Sequence, residues 1–423
     1  MDHETKEVPF QEQYPLFVGF DWASDHHDVV AVTTDGRIVL DLTFDDTAEG
    51  WATFRQKLAD RVGADLGVVA VAVETCNGPA VERLLDMGCR IYPLNPKAAQ
   101  RYRERKSVSG AKSDRMDAFS FGDALRTDGH GWRVLSPEAP LTQELRLLCR
   151  DEVALIGQRT ALVLQLKAAL HEYYPAALEA FDKWTCASSW AFLEAFPTPA
   201  QLVAARKRRW EKFLHTHKLA SPDLYEHRLE VFAKADQFCG SVAVTSAKRR
   251  LALALVAQLK ALEKHLTEYR KAIEVLFAQH PDHDIFGSLP GAGSKIAPRL
   301  AAEVGDNRQR FPEPQSLQTY AGTAPVTKQS GKSLHVQFRR SCNKHLRAAV
   351  NFLADHSREK CTWAQVYYEH KRKQGKSHST ALRCLGQRWL NILWKMWQTR
   401  TTYNEALHTR NQVGHGSWVV QLT

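Results

Sequence analysis

No uninterrupted apolar run in the 423 residues approaches the roughly 20 that span a bilayer, which speaks against a transmembrane segment. The opening stretch, MDHETKEVPF, has no apolar core of the signal-peptide kind, so a cytoplasmic location with no membrane partner is the expectation. The eight cysteines form no Cys-x-x-Cys pair, which argues against a structural zinc site and a dense disulfide framework; the thiols read as reduced. Acid is scarce beyond residue 80: residues 1–80 hold fifteen acids and five bases, the remainder 32 acids and 52 bases. A basic balance of that size draws polyanions, nucleic acid first among them, but without sequence preference. The acidic first segment then needs a reason of its own. With 44% hydrophobic and 25% charged residues, disorder is excluded for most of the chain, and about 150 residues per domain predicts two or three domains.

The first segment reads as α/β. Short β-branched or apolar runs at 17–20, 29–33 and 37–44 predict three sequential strands, with Thr34-Asp35-Gly36 as a hairpin turn between the last two. Trp51, Phe54 and Leu58 recur at helical spacing, 67–73 is a continuous apolar run suited to a central strand, 79–87 reads as helix and 89–94 as strand. Three strands followed by α-β-α-β is the order of a ribonuclease-H-like sheet, and of other mixed α/β sheets.

The acids fall at informative points in that order. Asp21 follows Phe-Val-Gly-Phe, and Glu74 follows Val-Ala-Val. If those two strands are parallel neighbours, the carboxylates emerge side by side and repel unless a divalent cation neutralises them. Asp114 and Asp117, three apart at a helix start, share one face. Four such hard oxygen donors select Mg²⁺ or Mn²⁺ and suit phosphoryl transfer. Each acid alone also reads as a strand-end or capping residue; the combination carries the argument. Nearby Asp25, Asp28, Asp41, Asp45 and Asp46 show that acids are plentiful here.

Bases gather next. Lys97, Arg101, Arg103, Arg105, Lys106 and Lys112 flank a Ser/Gly stretch at 107–111 and would hold a phosphate backbone over the carboxylates, the alternative being a solvated face. Beyond about residue 140, leucines at helical spacing (145, 148, 155, 162, 166, 170) and a second stripe (251, 255, 259, 262, 266) that continues through Tyr269, Ile273 and Leu276 predict two long helices. They suit a coiled-coil arm used for dimerisation or an intramolecular hairpin. Leu289-Pro290-Gly291-Ala292-Gly293-Ser294-Lys295 is a Gly-x-Gly turn into a helix of the helix-hairpin-helix kind, without the Gly-Lys-Ser/Thr ending of a Walker loop. A loop then interleaves bases and hydroxyls: Lys328, Ser330, Lys332, Arg339, Arg340, Ser341, Lys344 and Arg347. Ser330, between two lysines, is placed to attack a phosphate, with Ser341 as the competitor. Trp363, Trp389, Trp394, Trp397 and Trp418 read mainly as core or protein interface.

Gly19-Phe20-Asp21-Trp22-Ala23, Val73-Glu74-Thr75 with Gly78, Asp114-x-x-Asp117-Ala118, Leu289-Pro290-Gly291-x-Gly293, Ala321-Gly322-x-x-Pro325 with Ser330-Gly331, and Asn343-x-x-Leu346-Arg347 together resemble the DEDD-type serine transposases of bacterial insertion sequences. The Piv invertases are relatives, and the family includes the bridge-RNA-guided recombinases. The resemblance spans about residues 16–400. It implies an α/β plus α architecture: a ribonuclease-H-like (resolvase-like) domain at 1–140, a coiled-coil dimerisation domain at 141–284, a smaller, mainly helical domain bearing the serine at 285–410, and a tail at 411–423. It assigns a carboxylate tetrad to Asp21, Glu74, Asp114 and Asp117 and a nucleophile to Ser330. The implied activity is strand exchange through a serine phosphodiester with Mg²⁺ or Mn²⁺, on double-stranded donor and target DNA chosen by a bridge-type noncoding RNA, in a homodimer or homotetramer. A lysine common soon after the first aspartate in that family is missing, and the 175–245 segment exceeds the compact members' linker. The alternatives are a metal-dependent Holliday-junction nuclease, which needs no serine, and a non-catalytic nucleic-acid-binding regulator.

Overall fold

The computed structural model describes residues 9–419 apart from 77, 107–112 and 332. Lys112, Lys332, the Ser/Gly stretch at 107–111 and the side chain of Lys106 therefore lie outside the described residues. The chain divides into two compact units, Met1–Pro137 and Glu138–Thr423.

The first unit is built on a mixed five-stranded sheet in the order β3-β2-β1-β4-β5, with β1 at Leu16–Trp22, β2 at His26–Thr33, β3 at Ile38–Asp45, β4 at Val69–Val73 and β5 at Arg90–Pro93. β1 pairs antiparallel with β2 and parallel with β4. Strands β1 and β4 are buried on both faces and read as continuous apolar runs, as central strands do. One face carries α1 (Ala48–Val62) and α2 (Pro79–Asp86), which bury Trp51, Phe54, Leu58, Val81 and Leu84 against Val18, Phe20, Val29 and Val71. The other carries α3 (Pro96–Lys106) and α4 (Asp114–Asp128), where Ala99, Ala118, Phe121 and Leu125 meet Phe17, Val30, Ala70 and Ala72. This mixed sheet is consistent with a ribonuclease-H-like DEDD domain. One correction concerns β1, which continues through Asp21 to Trp22; Asp21 lies within the paired strand, opposite Asp28.

Helix α4 sits unusually close to β1. A Cβ added at Gly19 would overlap the Ala118 carbonyl oxygen and crowd the Gly122 amide, and one added at Gly122 would lie 2.9 Å from the Gly19 nitrogen. Backbone meets backbone here because neither glycine has a side chain.

In the second unit two long helices, α5 (Pro140–Tyr173) and α6 (Val242–Ala278), pack against each other within the chain. The leucine stripe of α6 is buried at Leu255, Leu259, Leu262, Leu266 and Ile273, whereas Leu251 is exposed. By length and composition α5 could cross a membrane. It also carries Arg150, Glu152 and Arg159, each in an ion pair with a residue outside α5. The segment between the long helices has an aromatic core of Trp184, Trp190, Phe192, Phe196, Trp210, Phe213 and Phe232. A separate core joins α7 (Gly293–Val304), α8 (Lys344–Ser357) and α9 (His378–Thr399). Trp363, Trp389 and Trp397 are buried in it, and Trp394 and Trp418 pack against it. Residues 326–337, read above as a loop, form a two-stranded antiparallel ribbon of β6 (Val326–Ser330) and β7 (Ser333–Gln337). Its side chains are nearly all exposed, so it lacks the buried alternation that announces a strand in sequence.

Gly19→Val should push α4 off the sheet and lower the stability of the first unit by about 1–3 kcal/mol, the usual cost of overpacking, as read by chemical denaturation of the full chain. A variant as stable as the wild type would contradict the backbone contact described here.

Candidate functional site

The parallel register pairs Phe20 with Val73, so Asp21 and Glu74 follow at the same end of neighbouring strands. Opposite them, the Ser113 hydroxyl caps α4 by accepting the Met116 N–H at 3.2 Å, which puts Asp114 and Asp117 in the first turn, where the helix dipole favours negative charge. Asp21, Asp114 and Asp117 each offer an oxygen, and these oxygens all lie within 4.8 Å of one another. Asp114 is exposed, Asp21 half-buried and Asp117 buried. Glu74 is not in this triad. Arg103 of α3 joins it to the group instead: one guanidinium nitrogen, Nη1, stands 2.9 Å from Asp117 Oδ2 and 3.7 Å from Glu74 Oε2. Hard carboxylate oxygens this close together, with no buried thiol among them, fit a divalent cation.

The site holds residues that the reading of the sequence passed over. His26 and Asp28 lie on the same face of β2 and form a second group with Asp114 whose donor atoms lie within 4.8 Å of one another. The His26 ring nitrogen Nδ1 is 2.9 Å from Asp25, and the Thr43 hydroxyl donates to Asp28 at 2.5 Å. The alternation 26, 28 was legible, but which acids they would meet depends on strand pairing. His27 points to the opposite face, among Phe20, Phe44 and Trp51, where burial pushes its imidazole pKa below the ordinary value.

The bases divide. Arg101 is exposed, and Arg105 lies 3.9 Å from Asp128, whereas Arg103 points into the carboxylates. Lys295 is exposed in the first turn of α7. Gly291 before it, at φ 80°, packs on the His356–Ser357 backbone, whereas Gly293 faces open space.

Ser330 pairs with Ser333 at the tip of the β6–β7 ribbon and is exposed; Gly331, at φ 55°, makes the turn. Lys328 is exposed on the same strand, and Ser341, Arg340 and Lys344 are exposed beyond the ribbon. Arg339 donates to the carbonyls of Ala324 and Pro325, and Arg347 donates to the Arg339 carbonyl, so both tie down the ribbon's base. The guanidinium groups of Arg347 and Arg383 both lie over the Phe338 ring there, at 4.9 and 4.7 Å from its centre. Lys376, Thr380 and Arg383, which sequence did not single out, line an adjoining cavity of about 290 Å³. Beneath the base, Asn343 caps α8 through the Leu346 N–H and donates to Glu303 at 2.6 Å and to the Tyr320 hydroxyl at 2.8 Å. Glu303, 2% exposed, also takes two hydrogen bonds from Arg150, at 2.7 and 2.8 Å. Burial pushes its carboxyl up, but the bonds from Arg150 and Asn343 outweigh it and hold the pKa below the usual glutamate range.

An acid in β1 and one directly after the parallel β4, with two more in the first turn of α4, are consistent with a DEDD-type domain. Residues 18–175 match a family model described as transposase, of the DEDD type found with IS110, and residues 283–369 match one described as transposase of the IS116/IS110/IS902 family. The "Mini-circle putative transposase for IS117" of Streptomyces coelicolor is 32% identical over 94% of this chain and 97% of its own length. The transposase for insertion sequence element IS1111A of Coxiella burnetii is 21% identical over 91% of this chain and 90% of its own. The chain belongs to the IS116/IS110/IS902 family of insertion-sequence transposases, enzymes that cut and rejoin DNA.

Two measurements check this geometry. Mn²⁺ or Mg²⁺ should raise the unfolding temperature of the wild type and leave that of Asp117→Asn unmoved, since ligand binding stabilises only the state that binds. Glu303→Gln should be less stable at neutral pH by about 3 kcal/mol, the lower end for a broken buried ion pair because Arg150 keeps some solvent contact. The folded carboxyl lies below its unfolded value of about 4.3, so its contribution is complete above that pH and is lost as pH falls through the folded value. The gap between wild type and variant should therefore close on acidification, as read by urea unfolding at a series of pH values.

Proposed function

We propose that the chain is a DNA recombinase of its insertion sequence that cuts and rejoins strands through a covalent serine linkage. The observation that carries the reading is the convergence of Asp21, Asp114 and Asp117 at the end of β1, with Glu74 beside them, in a chain that matches the IS117 relative over 97% of that protein's length. Those four residues would hold Mg²⁺ or Mn²⁺. A divalent ion bound there supplies charge neutralisation for the phosphate under attack. The Ser330 oxygen forms a bond to phosphorus while the bond to the departing strand oxygen breaks, and the serine proton ends on that strand's new hydroxyl. A free hydroxyl of a second strand then attacks the phosphoserine: its oxygen bonds to phosphorus as the bond to the Ser330 oxygen breaks, and its proton returns to that serine, so neither ATP nor water is consumed. Exposure at the tip of a ribbon leaves Ser330 open to a strand laid along Lys328.

The partners of this reading are double-stranded donor and target DNA, a bridge-type noncoding RNA that selects them, and further copies of the chain, as a dimer or tetramer. Arg101, Arg105, Lys295, Arg340 and Lys344, all exposed, are the backbone contacts it offers. The domain scheme retained for it is 1–140 for the carboxylates, 141–284 for assembly and 285–410 for the serine.

Cleavage trapped on a nicked substrate, followed by denaturation and peptide mapping by mass spectrometry, should place the covalent DNA on Ser330. Ser330→Ala should abolish the adduct, and Ser341→Ala should keep it. Attachment at Ser341 would overturn the assignment. Cleavage surviving in Ser330→Ala with uptake of solvent oxygen would make the protein a water-dependent nuclease.

A further inference from the structure

We infer that Arg103 is a built-in cation that competes with the divalent ion for the carboxylate site, and that its release to a nucleic-acid phosphate couples metal binding to nucleic-acid binding. The inference rests on the reading of Asp21, Glu74, Asp114 and Asp117 as a metal site.

Arg103 is the member of the basic α3 helix that turns inward. Its side chain is 27% exposed, against 61% for Arg105, and a single guanidinium nitrogen reaches both Asp117 and Glu74. Those two acids come from separate elements, the first turn of α4 and the residue after β4, so the guanidinium bridges the two sides of the site. Asp117 is also an oxygen donor of the Asp21–Asp114–Asp117 triad. A divalent ion held there would face a positive charge across a shared, buried carboxylate, with the same guanidinium also drawing on Glu74. Repulsion between two cations sharing one partner weakens the binding of each.

Arg103 needs another anion if it is to leave. The site itself supplies one: Arg101 and Arg105, four residues apart, share the exposed face of α3, whereas Arg103, two residues from each, turns to the carboxylates, so the phosphate that meets it is the one brought to the metal site. A phosphate offers the guanidinium a bidentate, charge-assisted partner as good as a carboxylate. With nucleic acid bound, Arg103 has a destination, and Glu74 and Asp117 are freed for the metal. By linkage the effect is mutual, the metal raising nucleic-acid affinity by the same factor.

The test uses the full chain, titrated with Mn²⁺ by calorimetry, alone and with a short duplex oligonucleotide of arbitrary sequence, with oligonucleotide-bound Mn²⁺ subtracted by a protein-free titration. Arg103→Gln should bind Mn²⁺ about tenfold more tightly than the wild type without DNA, equivalent to about 1.4 kcal/mol. DNA should tighten Mn²⁺ binding to the wild type and leave Arg103→Gln unchanged. Arg103→Lys, which keeps a cation, should return towards wild-type behaviour. Arg90→Gln, an exposed base at the other end of β5, should match the wild type; if it tightens Mn²⁺ binding equally, the effect is general charge and the inference falls. It also falls if Arg103→Gln and wild type bind Mn²⁺ alike, or if DNA enhances both equally. Asp117→Asn separates this from the underlying reading. Loss of Mn²⁺ in that variant with an unchanged Arg103→Gln overturns only the role of Arg103, whereas Mn²⁺ binding retained in Asp117→Asn overturns the metal site itself.

Discussion

The candidate centre depends on a contact without side chains. Gly19 in β1 and Gly122 in α4 let a helix backbone rest directly on a strand backbone, with the Ala118 carbonyl filling the space a Cβ would take. Asp21 lies two residues from one side of that contact, and Asp117 is adjacent to Ala118 on the other. Close approach here turns two acids distant in sequence into neighbours. The charge repulsion that results is stabilised locally by the Ser113 cap, the dipole of α4 and the Arg103 guanidinium, all in the same unit. Part of the acidic surplus in residues 1–80, Asp21 and Glu74, is thus gathered at one end of the two central strands.

The second unit solves a different problem with the opposite device. Its long helices are joined to the core around α7 and α8 by buried charge: Glu303 with Arg150 and Asn343, and Glu152 with Arg270 and Arg299. Such pairs add little net stability over well-packed apolar residues, but a displaced partner leaves a costly buried charge, so they fix which faces meet. Through Asn343, which also caps α8 and binds Tyr320, this specificity reaches the base of the ribbon that carries Ser330.

How much was legible in sequence follows from how local each signal is. The five strands of the first unit came through because β-branched runs and turn residues are local, and Asp21, Glu74, Asp114 and Asp117 stood out because each lies at the end of such a run or at a helix start. The ribbon at 326–337 was read as loop because Leu334 and Val336, its alternating apolar residues, are exposed and pack on no core. The position of His26 and Asp28 beside Asp114 was not legible, since it depends on the pairing of β1 with β2 and on the seat of α4. Arg103 was legible as a base but not as an inward one; charge counts do not distinguish a residue facing a phosphate from one facing a carboxylate.

The same ribbon has a consequence for how this protein can change over generations. Apart from Val326, half-buried at its start, its residues lie outside every core, so substitutions there barely touch the folding equilibrium and are judged by what the ribbon handles alone. Gly19 has no such freedom, because any side chain there is rejected by packing before chemistry is asked about. Variation can accumulate along the ribbon while the sheet beneath the carboxylates stays fixed, so its surface chemistry can be altered without rebuilding the scaffold.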